Sequence, residues 1–181
     1  MKNNFQKAIK ITLLAVIFVL FFPFCQNVFA QYIYESIYQP QKLSTISVIF
    51  KGHDLNIMLA KTRAEKAKGL MFYNEIASDT GMLFVYKYPQ QMSFWMMNTK
   101  IPLDLVFFSE NLTVTEYIKN MIPGFGKRPD TLPHYDSNGK AQYALELKAG
   151  MIDELGIVVG DKLEIPQIFL ELPYEMPYSD Y

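Results

Sequence analysis

From Gly81 to Ile118 no apolar run lasts longer than a strand before a turn signal interrupts it, and that rhythm excludes a helical core. Met82–Tyr86, Ser93–Met97, Leu103–Phe108 and Leu112–Ile118 are separated by Lys87–Gln91, Asn98–Pro102 and Ser109-Glu110-Asn111. Such spacing predicts an all-β or mainly β domain, an antiparallel sandwich or barrel. Upstream, Thr45 to Phe50 is β-branched and aromatic, Lys51-Gly52-His53-Asp54 is a turn cluster, and Leu55, Ile57 and Leu59 alternate with Asn56, Met58 and Ala60. That pattern predicts a hairpin. Thr62-Arg63-Ala64-Glu65 has capping-box spacing and Gly69 follows, so one short helix is expected from Arg63 to Lys68. Ala141–Leu147 and Leu163–Ile165 close the strand list, with a helical turn expected around Met151–Leu155. Between them, 120–139 carries Pro123, Gly124, Gly126, Pro129, Pro133 and Gly139 and reads as a long loop of the kind that is functional or mobile.

The N-terminus addresses the chain. Lys2, Lys7 and Lys10 precede an apolar run from Ile11 to Phe24, and Val28-Phe29-Ala30 places small residues at the −3 and −1 positions that signal peptidase reads. The expected organisation is a signal peptide at 1–30, a linker at 31–42, a single β-domain at 43–166 and an extended tail at 167–181, where prolines and tyrosines alternate. Location is then extracytoplasmic, periplasmic or secreted, with no membrane span after cleavage; an uncleaved anchor is the competing reading. Cys25, the single cysteine, lies within the signal, so the mature chain forms no disulfide. Losing the three lysines leaves 14 basic residues against 18 acidic ones, a net charge of −4. That balance, without a basic stripe, argues against nucleic acid and anionic lipid as partners.

Trp95, Asn98 and Asp104 surround one tight strand connection, and they are the expected pocket, with Glu146 as a further member. Asp104 shares a strand face with Val106 and Phe108, opposite Leu103, Leu105 and Phe107, so its carboxylate lies on an apolar surface and needs donors. The plainer reading has it accepting backbone N–H groups from the Asn98–Ile101 turn; the functional one makes it a ligand-binding or acid/base carboxylate. Glu146, between Leu145 and Leu147, poses the same choice, because a charge between two leucines is also the ordinary outward position of a half-buried strand.

Strong catalytic signatures are missing: no cysteine pair, no His-x-x-x-His, no glycine-rich phosphate loop, no nucleophile elbow. With only His53 and His134, no metal ligand set and no cofactor are expected. His134 sits near Asp136 and Ser137, but neighbouring positions rarely turn side chains toward one another. Met71, Met82, Met92, Met96 and Met97 fall in or near core segments; packing is the simpler role, and a thioether Cu(I) carrier is one alternative. The expected function is a binding or accessory protein for a small ligand or envelope component. A second alternative is a hydrolase using Asp104 and Glu146 on an envelope polymer, which would require the two carboxylates to face one open cleft.

Six short motifs in order, Gly69-Leu70-Met71-Phe72, Gly81-Met82-Leu83-Phe84, Phe94-Trp95-Met96 with Asn98-Thr99, Ile101-Pro102-Leu103-Asp104, Ala144-Leu145-Glu146-Leu147 with Gly150, and Gly160-Asp161, resemble domain-of-unknown-function family 192. The resemblance runs from about Leu43 to Ile165 and implies an all-β, sandwich-like domain, often behind a signal peptide, with no established activity. The family usually carries a basic residue where Tyr73 stands and Lys where Met97 stands. If those cations hold an anion in relatives, this chain has lost part of that site or takes a less charged ligand.

Overall fold

The hairpin turn sets the first edge of the sheet. Lys51 and Gly52 both have positive φ, 57° and 81°, the backbone of a two-residue turn whose twist suits the strands it joins. It connects β1 (Thr45–Phe50) to β2 (His53–Ala60), with Phe50 paired to His53. Thr62 then caps α1 (Arg63–Lys68): its Oγ1 accepts from the Glu65 N–H, and the Glu65 carboxylate accepts from the Thr62 and Lys61 N–H groups. The capping box forms where it is expected. In this computed structural model residues 38–171 are described, together with Gln26, Val28, Ala30, Gln31 and Ile33. The expected signal peptide lies almost wholly outside the described residues, as does the chain from 172 onward. The chain divides at Gln39/Pro40 into two compact units. Gln31, Ile33 and Tyr38, within the expected linker, are helical. The fold described below is that of the second unit.

The remaining strands are β3 (Thr80–Trp95), β4 (Leu103–Phe108), β5 (Val114–Met121) and β6 (His134–Lys148). They form a six-stranded sheet in the order β1-β2-β3-β6-β4-β5. It is mainly β but mixed and not a closed barrel. The expectation of a purely antiparallel arrangement fails at one pairing: β2 and β3 run parallel, because α1 and the segment up to Asp79 carry the chain back across the sheet before β3 begins. The expected 120–139 loop is also shorter than anticipated. β6 begins at His134 and pairs with the far half of β3 across two register shifts, so Asp136 to Gly139 are strand residues despite their turn-like composition. A 3-10 turn at Pro129–Thr131 occupies what remains.

Both faces of the sheet are buried. On one, Leu83, Val85, Val106, Phe108, Leu145 and Leu147 pack with Met151 and Ile152 of α2 (Met151–Glu154). α3 (Gln167–Leu170) adds Leu170 to this core, so the segment expected to be an extended tail opens with a helical turn. On the other face, Met82, Phe84, Leu105 and Phe107 meet Met92, Phe94 and Met96. β3 bends enough that its two halves touch, with the Phe84 and Phe94 rings edge to face at 5.0 Å. Gly81 is needed where β3 meets β6: a Cβ there would lie 2.8 Å from the Glu146 carbonyl oxygen.

Candidate functional site

The second face opens into a cleft of about 280 Å³ between α1 and the β3–β6 pair. Its floor and walls come from Leu70, Phe84, Tyr86, Phe94 and Trp95, and its rim from the cations of α1, Arg63, Lys66 and Lys68. The capping box fixes where the helix starts and Gly69 ends it, so these cations are presented from a short, fixed element. Lys66 donates to the carbonyls of Lys61 and Val85 and lies 4.6 Å from the centroid of the Tyr86 ring. Trp95, at the end of β3, is 40% exposed, with its ring centroid 6.3 Å from that of His134.

Glu146 is the one acidic residue among the described residues of the lining. It stands on β6 between Met82 of β3 and Leu105 of β4, and only 5% of it is exposed. Its Oε2 is buried with no hydrogen-bond partner among the described residues. Desolvation, which disfavours the charged form, pushes its pKa up to about 8. At neutral pH the side chain is therefore mostly a carboxylic acid, able to donate one hydrogen bond. Tyr86 is raised in turn, first by its own burial and then by the charge of Glu146. The reading of Glu146 as an outward strand residue is overturned. β6 is a central strand, and at this level both of its faces are covered.

Asp104 sits elsewhere. It is fully buried on the α2 face, where its Oδ2 accepts the Gly150 and Ile152 N–H groups at 2.9 and 3.0 Å and its Oδ1 accepts the Asn120 N–H at 2.9 Å. The donors expected from the Asn98–Ile101 turn are not the ones it uses. Strand alternation turns the carboxylate toward the α2 N-terminus, and it ties that end to β5. Asn98 is a turn residue with φ 53°; its carbonyl accepts from the Phe72 N–H, and its amide nitrogen lies 3.9 Å from the Met71 sulfur at the cleft edge. Of the four residues expected to form the pocket, the cleft brings together Trp95 and Glu146, leaves Asn98 just behind the lining, and excludes Asp104.

Sequence reasoning missed the α1 cations and Tyr86. The available signal was Arg63, Lys66 and Lys68 clustered on one short helix directly before Gly-Leu-Met-Phe. The discounted pairing of His134 with Ser137 does not form: His134 Nδ1 lies 3.0 Å from Ser93 Oγ across the strands, whereas Ser137 Oγ accepts from the Met92 N–H and donates to the Gly139 carbonyl. Met82, Met92 and Met96 are core residues, while Met71 and Met97 line the cleft. Among the described residues no group of His, Cys, Asp and Glu is arranged to hold a metal ion, and no helix is long and apolar enough to cross a membrane.

Two crystal structures are similar to this chain. One, from Sinorhizobium meliloti 1021 and named a "putative transcription regulator", is 31% identical with a TM-score of 0.59, covering 68% of this chain and 97% of the other. A protein of unknown function from Novosphingobium aromaticivorans DSM 12444 is 32% identical with a TM-score of 0.61, covering 73% of this chain and 96% of its own. No curated protein matches. The family model DUF192, described as "Uncharacterized ACR", matches residues 46–165, and the chain belongs to that family.

Proposed function

We propose that this protein is an extracytoplasmic accessory domain that binds a small ligand in the cleft between α1 and the β3–β6 pair. The observation that carries the reading is the Glu146 carboxyl: one of its oxygens is buried without a partner among the described residues, on a side chain that lines a cleft whose wall is an exposed tryptophan. A protein interior leaves such a group unsatisfied at a cost, and a ligand that pairs with it recovers that cost on binding. The extracytoplasmic location rests on the three-lysine start, the apolar run and Val28-x-Ala30.

The hydrolase alternative is disfavoured because its two carboxylates lie on opposite faces of the sheet, with all three hydrogen bonds of Asp104 spent on backbone. The regulator name of one structural relative finds little support in a full chain of net charge −1. Trp95 is the only tryptophan, so its fluorescence reports the cleft without labelling. A screen of small metabolites should find compounds that shift Trp95 emission and raise the melting temperature, with a gain in unfolding free energy of about 2.7 kcal/mol at a hundred times Kd. Hits that stabilise the protein yet leave Trp95 emission unchanged would move the site elsewhere.

A further inference from the structure

We propose that the ligand of this cleft is a small organic anion with a flat apolar body, its acidic group at the α1 rim, its body against Trp95 and Phe94, and an acceptor oxygen taking the Glu146 proton. The inference rests on the small-ligand reading above and adds a chemical class to it.

Charge is the first argument. Among the described lining residues Arg63, Lys66 and Lys68 are cations and Glu146 is the one acid, so the formal charge of that lining is positive with Glu146 in either protonation state. A cationic ligand would enter against that field and an anion with it. Shape is the second. Leu70, Phe84, Phe94 and Trp95 supply apolar and aromatic surface, and a volume of about 280 Å³ has room for a body of about one or two rings. The third argument is the direction of the missing hydrogen bond. Glu146 is walled by Met82 and Leu105 from the neighbouring strands, neither of which offers a donor or a charge. Among the described residues, the titratable groups that share the cleft with it are Tyr86 on β3 and the three α1 cations. A buried carboxyl held as the acid has a proton to give, and the complementary ligand atom is an oxygen acceptor.

Benzoate, benzamide and benzylamine share one ring and differ in charge, which makes them suitable probes for titration against Trp95 fluorescence in the full chain. Benzoate should bind best, by about fivefold over benzamide if two rim charges each act at ordinary surface strength. Its affinity should hold from pH 6 to 8 and then fall by up to about tenfold per pH unit as Glu146 loses its proton. In Glu146→Gln, which keeps a neutral donor at every pH, that fall should disappear while binding at pH 7 persists. Arg63→Gln combined with Lys68→Gln should weaken benzoate and leave benzamide unchanged. If benzamide or benzylamine binds as well as benzoate, or if the decline above pH 8 survives in Glu146→Gln, the anion assignment is overturned and the small-ligand reading stands. If no probe perturbs Trp95 in wild type at millimolar concentration, the anion assignment is overturned, and the small-ligand reading falls as well only when the metabolite screen also finds no compound that stabilises the protein.

Discussion

Replacing Glu146 by Gln should stabilise this protein, and the gain should depend on pH in a way set by one carboxyl group. In the unfolded chain Glu146 ionises near its ordinary value of 4.5; in the fold, burial between Met82 and Leu105 raises it to about 8. Between those values the native state holds a proton that the unfolded state has released. The unfolded state binds fewer protons, so stability falls as pH rises. The slope approaches about 1.4 kcal/mol per pH unit, making the penalty roughly 3 kcal/mol at pH 7 and no larger than about 5 kcal/mol above pH 8, where it levels off. Gln has nearly the same shape and does not titrate. Urea unfolding followed by Trp95 emission, for wild type and Glu146→Gln at each pH from 4 to 9, isolates this group, because every other titration cancels in the difference. The two proteins should be of similar stability near pH 4.5 and diverge with rising pH, the variant ahead by about 3 kcal/mol at pH 7. Parallel profiles, or a variant that loses ground as pH rises, would refute the argument that Glu146 is buried as the acid.

Asp104→Asn should act in the opposite sense, losing about 2–3 kcal/mol of stability, because one oxygen that accepts backbone N–H groups becomes a donor facing them. Denaturant unfolding measures the loss, and any protein still folded should bind a cleft probe as wild type does. Intact-mass analysis of protein expressed with its native N-terminus should find a chain beginning at Gln31; a retained N-terminal segment would argue for an anchor instead.

What could be read in advance was local. The capping box from Thr62 to Glu65 and the β1–β2 hairpin are contained in a few adjacent residues, and both formed as expected. The failures share a cause in distance along the chain. Asp104 takes its donors from residues 16, 46 and 48 positions away, and no window of sequence announces them. The start of β6 was hidden because Asp136 to Gly139 look like a turn, yet they follow the bend of β3 through its register shifts. Glu146 was left open between a pocket and an outward position because period-two alternation says which side a residue faces and not whether that side is covered. Only the strand order, with β6 between β3 and β4, makes it an interior position. The parallel β2–β3 pair was the one global feature within reach, since a helix between two strands is the usual way to join parallel neighbours.

That strand order has a consequence for the order of synthesis. β6 is the last strand made and one of the innermost, lying between β3 and β4, which leave the ribosome much earlier. Until His134–Lys148 has emerged, the N-terminal group of strands and the β4–β5 pair are two separate pieces, each presenting an open edge of unpaired N–H and C=O groups flanked by apolar side chains. Open edges of this kind are where chains pair with the wrong partner. The domain therefore has no stable half: a nascent chain stopped in the 122–133 connection holds most of its apolar residues and neither of its finished cores. Insertion of β6 closes both edges in one event, and the same event carries Glu146 out of water and forms the cleft.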